Sequence, residues 1–518
     1  MYIRQRLWPV AAALLPLALW GMLWLSVSPG STGDIWHPGS LTSLIHGLRA
    51  LFPFAASGLA VMLLAFKLSR HYPKGFRFLS PLGLTTVYGL VGVLAVWNSP
   101  DNAVALRWVA LYLSVPLVLW AIVWGTDPLE QLRRIISITW LVIVLGTLAL
   151  FAIALIYLDM WDVLTDPARL LDCNNHGWFD LTSHYIRKTG VGRYAAVTAI
   201  LAIGGLWQRN WRAVWTIVLV LSVVLLLFSG ARTAFGGFAA GAVLTVLLYS
   251  GKRALLAGAL ITIVLVPVFW ATGVQDDFLD RCVFRYGGPI TTVLPTEQGQ
   301  LTGLTEQGQL TGLTEQGQLT GLTEQGQLTG LTGQGGSAGR GESAGRGELF
   351  APDLPSTQAQ PTVILPEQAP SRVGRVGREF LQFSGRSAVW AEALRQVRDS
   401  PILGYGFHAD RLLLGTHAHN AFVHALLQTG VAGIIPFVLA MLFGWFSFFK
   451  VAMRLNQLPT AHKHLVIQSG AILAFLSVRA LPESTGAFFG IDWLILAPLL
   501  LYLHLVSSQD AITSSPSP

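Results

Sequence analysis

Long apolar runs recur along the whole chain, and no other feature restricts its fold as much. Stretches of roughly 17 to 23 residues, enough for a helix to cross a hydrocarbon layer of about 30 Å, fall near 8–28, 51–68, 79–97, 103–124, 135–157, 191–207, 213–229, 233–250, 254–272, 431–449, 465–481 and 488–506. Backbone polar groups in lipid have no water to bond, so a crossing must be a helix or part of a closed barrel, and runs of this length are helices. Charged residues make up only 12% of the chain, about half the share in a soluble domain. The predicted fold class is all-α: a polytopic membrane helix bundle of about twelve transmembrane helices, with one large external loop that contains short amphipathic helices.

The loops carry the orientation. Counting alternate gaps from the N-terminus, one set holds Arg4, Arg6, Lys67, Arg70, Lys74, Arg77, Arg133, Arg134, Arg209, Arg212, Lys252, Arg253, Lys450, Arg454 and Lys463, fifteen cations in all. The opposite set, with the residues just inside its helix ends, holds eight: Arg49, Arg107, Arg169, Arg187, Lys188, Arg193, Arg232 and Arg479. The positive-inside rule then predicts both termini in the cytoplasm. The stretch after Arg6 lacks a persuasive A-x-A site, so it is expected to stay as an uncleaved first helix. The net charge of +7 is thus a matter of topology. The bilayer is the expected partner and nucleic acid is not.

By the same parity the long segment 273–430 is expected to be external, between transmembrane helices 1–9 (residues 1–272) and helices 10–12 with a short tail (431–518). It opens with low-complexity sequence, including four copies of TEQGQLTGL from Thr296 to Leu331 and Gly/Ser/Arg-rich sequence to Gly347. A nine-residue Gly repeat that binds calcium needs an Asp in each turn. This unit has none, and 296–347 reads as a length-variable insertion. An ordered part is expected over 371–430, with a helix capped by Ser384, a face of Val389, Trp390, Leu394 and Val397, and an end at Ser400–Pro401. Cys173 and Cys282 are both expected outside, where an oxidising compartment would allow a disulfide.

Arginine inside a membrane helix costs about 2.5–3.5 kcal/mol on insertion scales, so it needs a partner or a polar cavity. Arg107, Arg193, Arg232 and Arg479, with Arg187 and Lys188 close by, cluster at external helix ends, the side that should be poor in cations. An anion-binding surface accounts for them, and phosphate or diphosphate suits the planar guanidinium, which can offer two parallel hydrogen bonds. Arg232 sits in the turn FSGARTAF and opens a helix, whose first N–H groups also favour an anion. Among the histidines, His408, His417, His419 and His424 crowd together. His417 and His419 with Asp410 would make a metal set only with a further ligand at a familiar spacing, so no metal is expected there. One imidazole acting as general base is the alternative.

Four stretches carry a resemblance: FSGARTAFGGF (228–238), SGRSAVWAEAL (384–394), SPILGYGF (400–407), and His419-Asn420 followed after nine residues by Gly430-Val431-Ala432-Gly433. They resemble the O-antigen ligase and polymerase superfamily, multispanning bacterial glycan-transfer proteins with one large external loop. The last pattern is similar to the ligase signature, which polymerases often lack. Ala231 stands where a Ser often precedes the family's Arg, and the repeats are a departure from the family pattern.

The resemblance implies a glycosyltransferase of lipopolysaccharide biosynthesis. The donor would be a glycan on an undecaprenyl-type lipid diphosphate and the acceptor a sugar hydroxyl such as that of lipid A-core. Transfer would invert the anomeric centre, with no metal and no cofactor. His419 would take the acceptor proton. Arg232 and Arg386, with Arg193 and Arg187 nearby, would hold the diphosphate. Asn420 and His417 would support the site, and Gly430 and Gly433 would permit the turn into helix ten. A repeat-unit polymerase of the same superfamily is the first alternative. A small-solute carrier of the bicarbonate type is the second, although no helix-centre Asp or Glu marks an ion path.

Overall fold

The computed structural model describes residues 2–27, 40–68, 80–124, 127–157, 188–207, 211–229, 231–250 and 386–508. All belong to one compact unit drawn from Met1–Arg285 and Gln382–Pro518. Arg187, Cys173, Cys282, Ser384, the predicted helix 254–272 and the insertion 296–347 lie outside the described residues.

The described residues form helices and turns, with no strand among them. In chain order the helices are α1 Tyr2–Leu25, α2 Leu41–Arg49, α3 Phe52–Leu68, α4 Pro81–Ala95, α5 Asn102–Val123, α6 Pro128–Tyr157, α7 Lys188–Gly205, α8 Arg212–Ser229 and α9 Arg232–Ser250. They continue with α10 Arg386–Asp399, α11 Ala409–Leu414, α12 Ala421–Ala452, α13 Thr460–Arg479 and α14 Ile491–Ser508.

Eight helices among the described residues are long and apolar enough to cross a membrane. Three more, α1, α7 and α13, coincide with predicted crossings but fall outside those eight, so the count of twelve is not reached on length and composition. The reason is plain for α7 and α13. Small residues fill α7 (Gly190, Gly192, Ala195, Ala196, Ala199, Ala202), and His462, Lys463 and His464 open α13. Both are largely buried among other helices, where close backbone approach replaces apolar bulk: a Cβ on Gly241 of α9 would run into Ile200 of α7 and the Ala471 carbonyl of α13.

The bundle core is aromatic where it supports the later part of the chain. Tyr112 of α5 stacks on Trp493 of α14 with centroids 4.7 Å apart, and Trp493 Nε1 donates to the Tyr112 carbonyl at 3.2 Å. Phe407, fully buried, lies against the rings of Tyr88 and Tyr112. Its ring presses on Gly92 of α4 so closely that any Cβ there would collide with it. Phe407 therefore pins the loop 400–408 into the bundle.

That loop explains a difference from the sequence reading. Helix ten is predicted from 431, yet α12 starts at Ala421 and is broken at Gly430, with φ 57° and ψ −161°. This conformation is essentially reserved for glycine, and a Cβ would strike the Ile402 carbonyl. The break frees backbone groups that must find partners, and the loop supplies them. Tyr405 and Gly406 N–H donate to the Leu427 and Gln428 carbonyls at 3.0 and 2.8 Å, while Val431 and Ala432 N–H donate to the Pro401 and Ile402 carbonyls at 2.8 and 3.0 Å. Gly404 and Gly406, with φ of 65° and 81°, make the turns that allow this stitching. Gly433 is needed for another reason, since a Cβ on it would meet the Thr429 side chain.

The amphipathic helix is present as α10, ending near Ser400 as predicted. Its buried face is set by Ala393 and Val397, which pack with Ala409 and Leu427. Leu394, predicted on that face, is 47% exposed, because the residue four before Val397 is Ala393.

Candidate functional site

His419 owes its position to the turn that starts α12. Asn420 is the N-cap: its side-chain oxygen accepts from the N–H groups of Phe422 and Val423 at 2.9 and 3.0 Å, the usual way to satisfy a helix start. Asn420 thus serves the helix terminus, and the preceding residue takes the strain. His419 has φ 47°, a value unusual for a non-glycine residue. Ala421 N–H donates to the Ala480 carbonyl at 2.9 Å, which ties this turn to the end of α13. Trp390 of α10 donates from Nε1 to the Ala418 carbonyl at 2.7 Å.

Two acids organise the cations. Glu483, in the connection between α13 and α14, faces His419 Nδ1 at 3.4 Å and Arg386 Nη2 at 3.8 Å. Arg386 also donates from Nη1 to the Pro482 carbonyl at 2.6 Å. Burial favours protonation of the Glu483 carboxyl, but its hydrogen bond with His419 and the charges of Arg479 and Arg386 outweigh that and hold it down at about 2. The second acid is Asp492, the start of α14, which lies 3.0 Å from Arg193 Nε and 3.6 Å from Arg479 Nη2. Arg479 is fully buried, with its guanidinium over the Phe475 ring at 5.7 Å from the centroid.

Arg193, Arg386 and Arg479 thus bring three positive charges against the two negative charges of Glu483 and Asp492. The acids fix the arginines in place and leave the cluster net positive. Arg479, grouped from sequence with the external cations, is fully buried and faces Asp492. Arg232 opens α9 on an exposed position. The turn before it packs on α7, where a Cβ on Gly192 would meet Ala231, Ser229 and Ala234; Gly236, one turn further on, lies by Val478 of α13. Arg232 therefore shares the neighbourhood of Arg193 and Arg479. The N-terminal ends of α7, α9, α12 and α14 and the C-terminal end of α13 meet here, as helices of alternating direction must.

On the other side of His419 lies a second cluster. His417 sits 4.9 Å from the His419 ring, centroid to centroid, and its Nδ1 is hydrogen-bonded to Asp410 Oδ2 at 2.5 Å. Asp410, buried, also accepts from the N–H groups of Ala418 and Arg411 at 3.1 and 3.0 Å. His424 Nδ1 comes within 3.0 Å of the same carboxylate. Burial keeps the His417 imidazole below its ordinary value, opposed by its bond to Asp410. Asp410, His417 and His424 are a grouping that could hold a metal ion, whereas the trio weighed from sequence had His419 in place of His424.

Sequence reasoning placed Arg193, Arg386 and His419 in one site, and the structure joins them through acids it had not assigned a role. Glu483 and Asp492 were legible only as charges near helix ends. Their signal was cost: a carboxylate beside a crossing demands a cation.

Glu483 yields a measurable expectation. Its folded value lies below the 4.5 of the free side chain, so its contribution is fully present above pH about 4.5 and fades as the pH falls toward 2. Glu483→Gln is expected to lower thermal stability at neutral pH by roughly 3 kcal/mol at most. Thermal scans should show wild type and variant converging in that acid window; a gap that stays constant with pH would contradict the ion-pair account.

Residues 217–438 match the family model described as O-antigen ligase. No curated protein and no solved structure matches the chain.

Proposed function

The match over residues 217–438 supports membership of the O-antigen ligase superfamily, ligase- and polymerase-type membrane enzymes, and from that premise we propose that the chain transfers a glycan from a polyprenyl-type lipid diphosphate to a sugar hydroxyl such as that of lipid A-core. The observation that carries this reading is His419 held against Glu483 and flanked by the arginine cluster. Glu483 faces Nδ1, so Nε2 is the nitrogen turned to an acceptor hydroxyl, and the side chain is 36% exposed.

The hydroxyl oxygen attacks the anomeric carbon while its proton passes to His419 Nε2. The bond from that carbon to the diphosphate oxygen breaks, and the lipid diphosphate leaves with the electron pair. Charge grows on the leaving diphosphate, and preorganised guanidinium groups stabilise it without reorganising. Arg232, Arg386 and Arg193 are assigned this role, with Arg187 added from its closeness in sequence. Attack from the face opposite the leaving group inverts the centre. Arginine supplies the positive charge at the diphosphate, so this step calls for no divalent ion there. His417 backs His419, Asn420 caps the helix that follows it, and Gly430 and Gly433 shape that helix. The reading places the loop and site in the periplasm of the bacterial inner membrane, with both termini cytoplasmic.

The test is reconstitution of the full-length protein in liposomes with a polyprenyl-diphosphate glycan and lipid A-core. A ligase yields one intact glycan joined to each acceptor. Absence of that product, or elongation of the glycan on its own lipid diphosphate, would overturn the ligase reading; the second outcome would make the protein a polymerase.

A further inference from the structure

The second cluster contains an unresolved electrostatic demand. Gln428, with its amide turned so that donors meet acceptors, accepts from His408 N–H at 3.1 Å and from His424 Nε2 at 2.6 Å, and donates to the Tyr88 hydroxyl and the Ala487 carbonyl. The His424 proton is then on Nε2, and Nδ1 carries a lone pair. That Nδ1 is buried without a hydrogen-bond partner, yet it lies 3.0 Å from Asp410 Oδ2, with side-chain exposures of 3% and 1%. Two buried lone pairs facing each other repel unless a cation joins them. A proton would do so as an imidazolium–carboxylate pair at 3.0 Å. A metal ion meets the same demand.

The donor set fits. Asp410 Oδ2, His417 Nδ1 and His424 Nδ1 offer three ligand atoms within 4.8 Å of one another, one carboxylate and two imidazoles, as in zinc centres that keep a fourth position open. Gln428 acts as the outer partner that fixes the His424 ring. The recess beside them, lined by Trp108, Phe407, His408 and Phe488, has about 20 Å³ of free volume, room for one water in the fourth position. Ligands at about 2.0–2.2 Å in a tetrahedron stand roughly 3.3 Å apart. The separations of 2.5 and 3.0 Å need widen by less than 1 Å.

We propose that Asp410, His417 and His424 bind one divalent metal ion of the zinc class, which clamps the segment carrying His419 to α12. Binding displaces to solvent the proton that His417 shares with Asp410. The ion lies across His419 from the arginine cluster, takes no part in the bond changes of glycan transfer, and acts by holding the strained turn at His419 in place.

The experiment uses the full-length protein in nanodiscs, stripped with a chelator and titrated with Co²⁺, without glycan substrates. One equivalent should bind, with the visible absorption of a four-coordinate site, and Zn²⁺ should displace it. His424→Gln and Asp410→Asn should each weaken binding at least tenfold in protein that remains monodisperse, whereas His419→Gln and His462→Gln should not. If Asp410→Asn does not fold, His417→Gln takes its place. Lack of stoichiometric binding by the wild type, or equal binding by the His424 variant, overturns the proposal. The readout involves no transfer, so its failure leaves the glycosyltransferase reading standing, and failed transfer leaves the metal site standing.

Discussion

Replacing His419 with Gln is expected to abolish glycan transfer while leaving the protein inserted and folded. General-base assistance of this kind is worth about 10² to 10⁴ in rate, so kcat should fall by that factor with little change in donor affinity. Gln keeps a polar side chain of similar reach but cannot take a proton. The fold does not lean on the imidazole: the helix start is capped by Asn420, and the turn is bonded through Ala421 N–H to Ala480. Reconstituted transfer assays on monodisperse protein measure this directly, and a variant with more than about a tenth of wild-type kcat would remove His419 from the base role.

The second large effect is expected from Arg232→Lys. Charge is conserved, so a site that needed only positive potential would tolerate it. A diphosphate held by two parallel N–H bonds would not, because an ammonium group cannot present the planar fork. Loss of one preorganised donor costs on the order of 10² to 10³ in kcat. Binding of the lipid diphosphate should weaken in the same variant, and Arg386→Lys should act in the same direction. Titration with the donor alone separates the cases: normal affinity in both variants would place the diphosphate elsewhere.

Much of the architecture was legible because lipid imposes one rule on every crossing, and eleven predicted runs coincide with described helices. The least accurate boundary, the start of α12, has a specific cause. A hydropathy reading starts the crossing where glycine interrupts the apolar run, whereas the helix extends back to Ala421 and carries His424 and Gln428 inside it. Periodicity contains no sign that a loop some thirty residues upstream will bond to the gap at Gly430. For the site, Arg193 and Arg232 stood out because arginine is costly where they lie, whereas His419 and Arg386 were marked by the stretches that resemble the ligase superfamily. Glu483 and Asp492 belong to the same arrangement, but their partnership with Arg386 and Arg193 exists only once α7, α10, α13 and α14 are side by side. His424 was hidden because a histidine on an apolar helix face has no distinctive spacing to Asp410.

The stitching of the 400–406 loop across the gap in α12 has a consequence for how such a chain tolerates change. Four backbone bonds close a ring between residues 401 and 432, and Phe407 nails that ring to the bundle. Most of the candidate site, from Arg386 through Asp492, lies in one contiguous stretch closed on itself in this way. Copies of the nine-residue repeat can be added or lost upstream of Arg386 without altering the register of any of those bonds. The number of repeat copies and the bonds that close this ring are therefore independent of each other along the sequence.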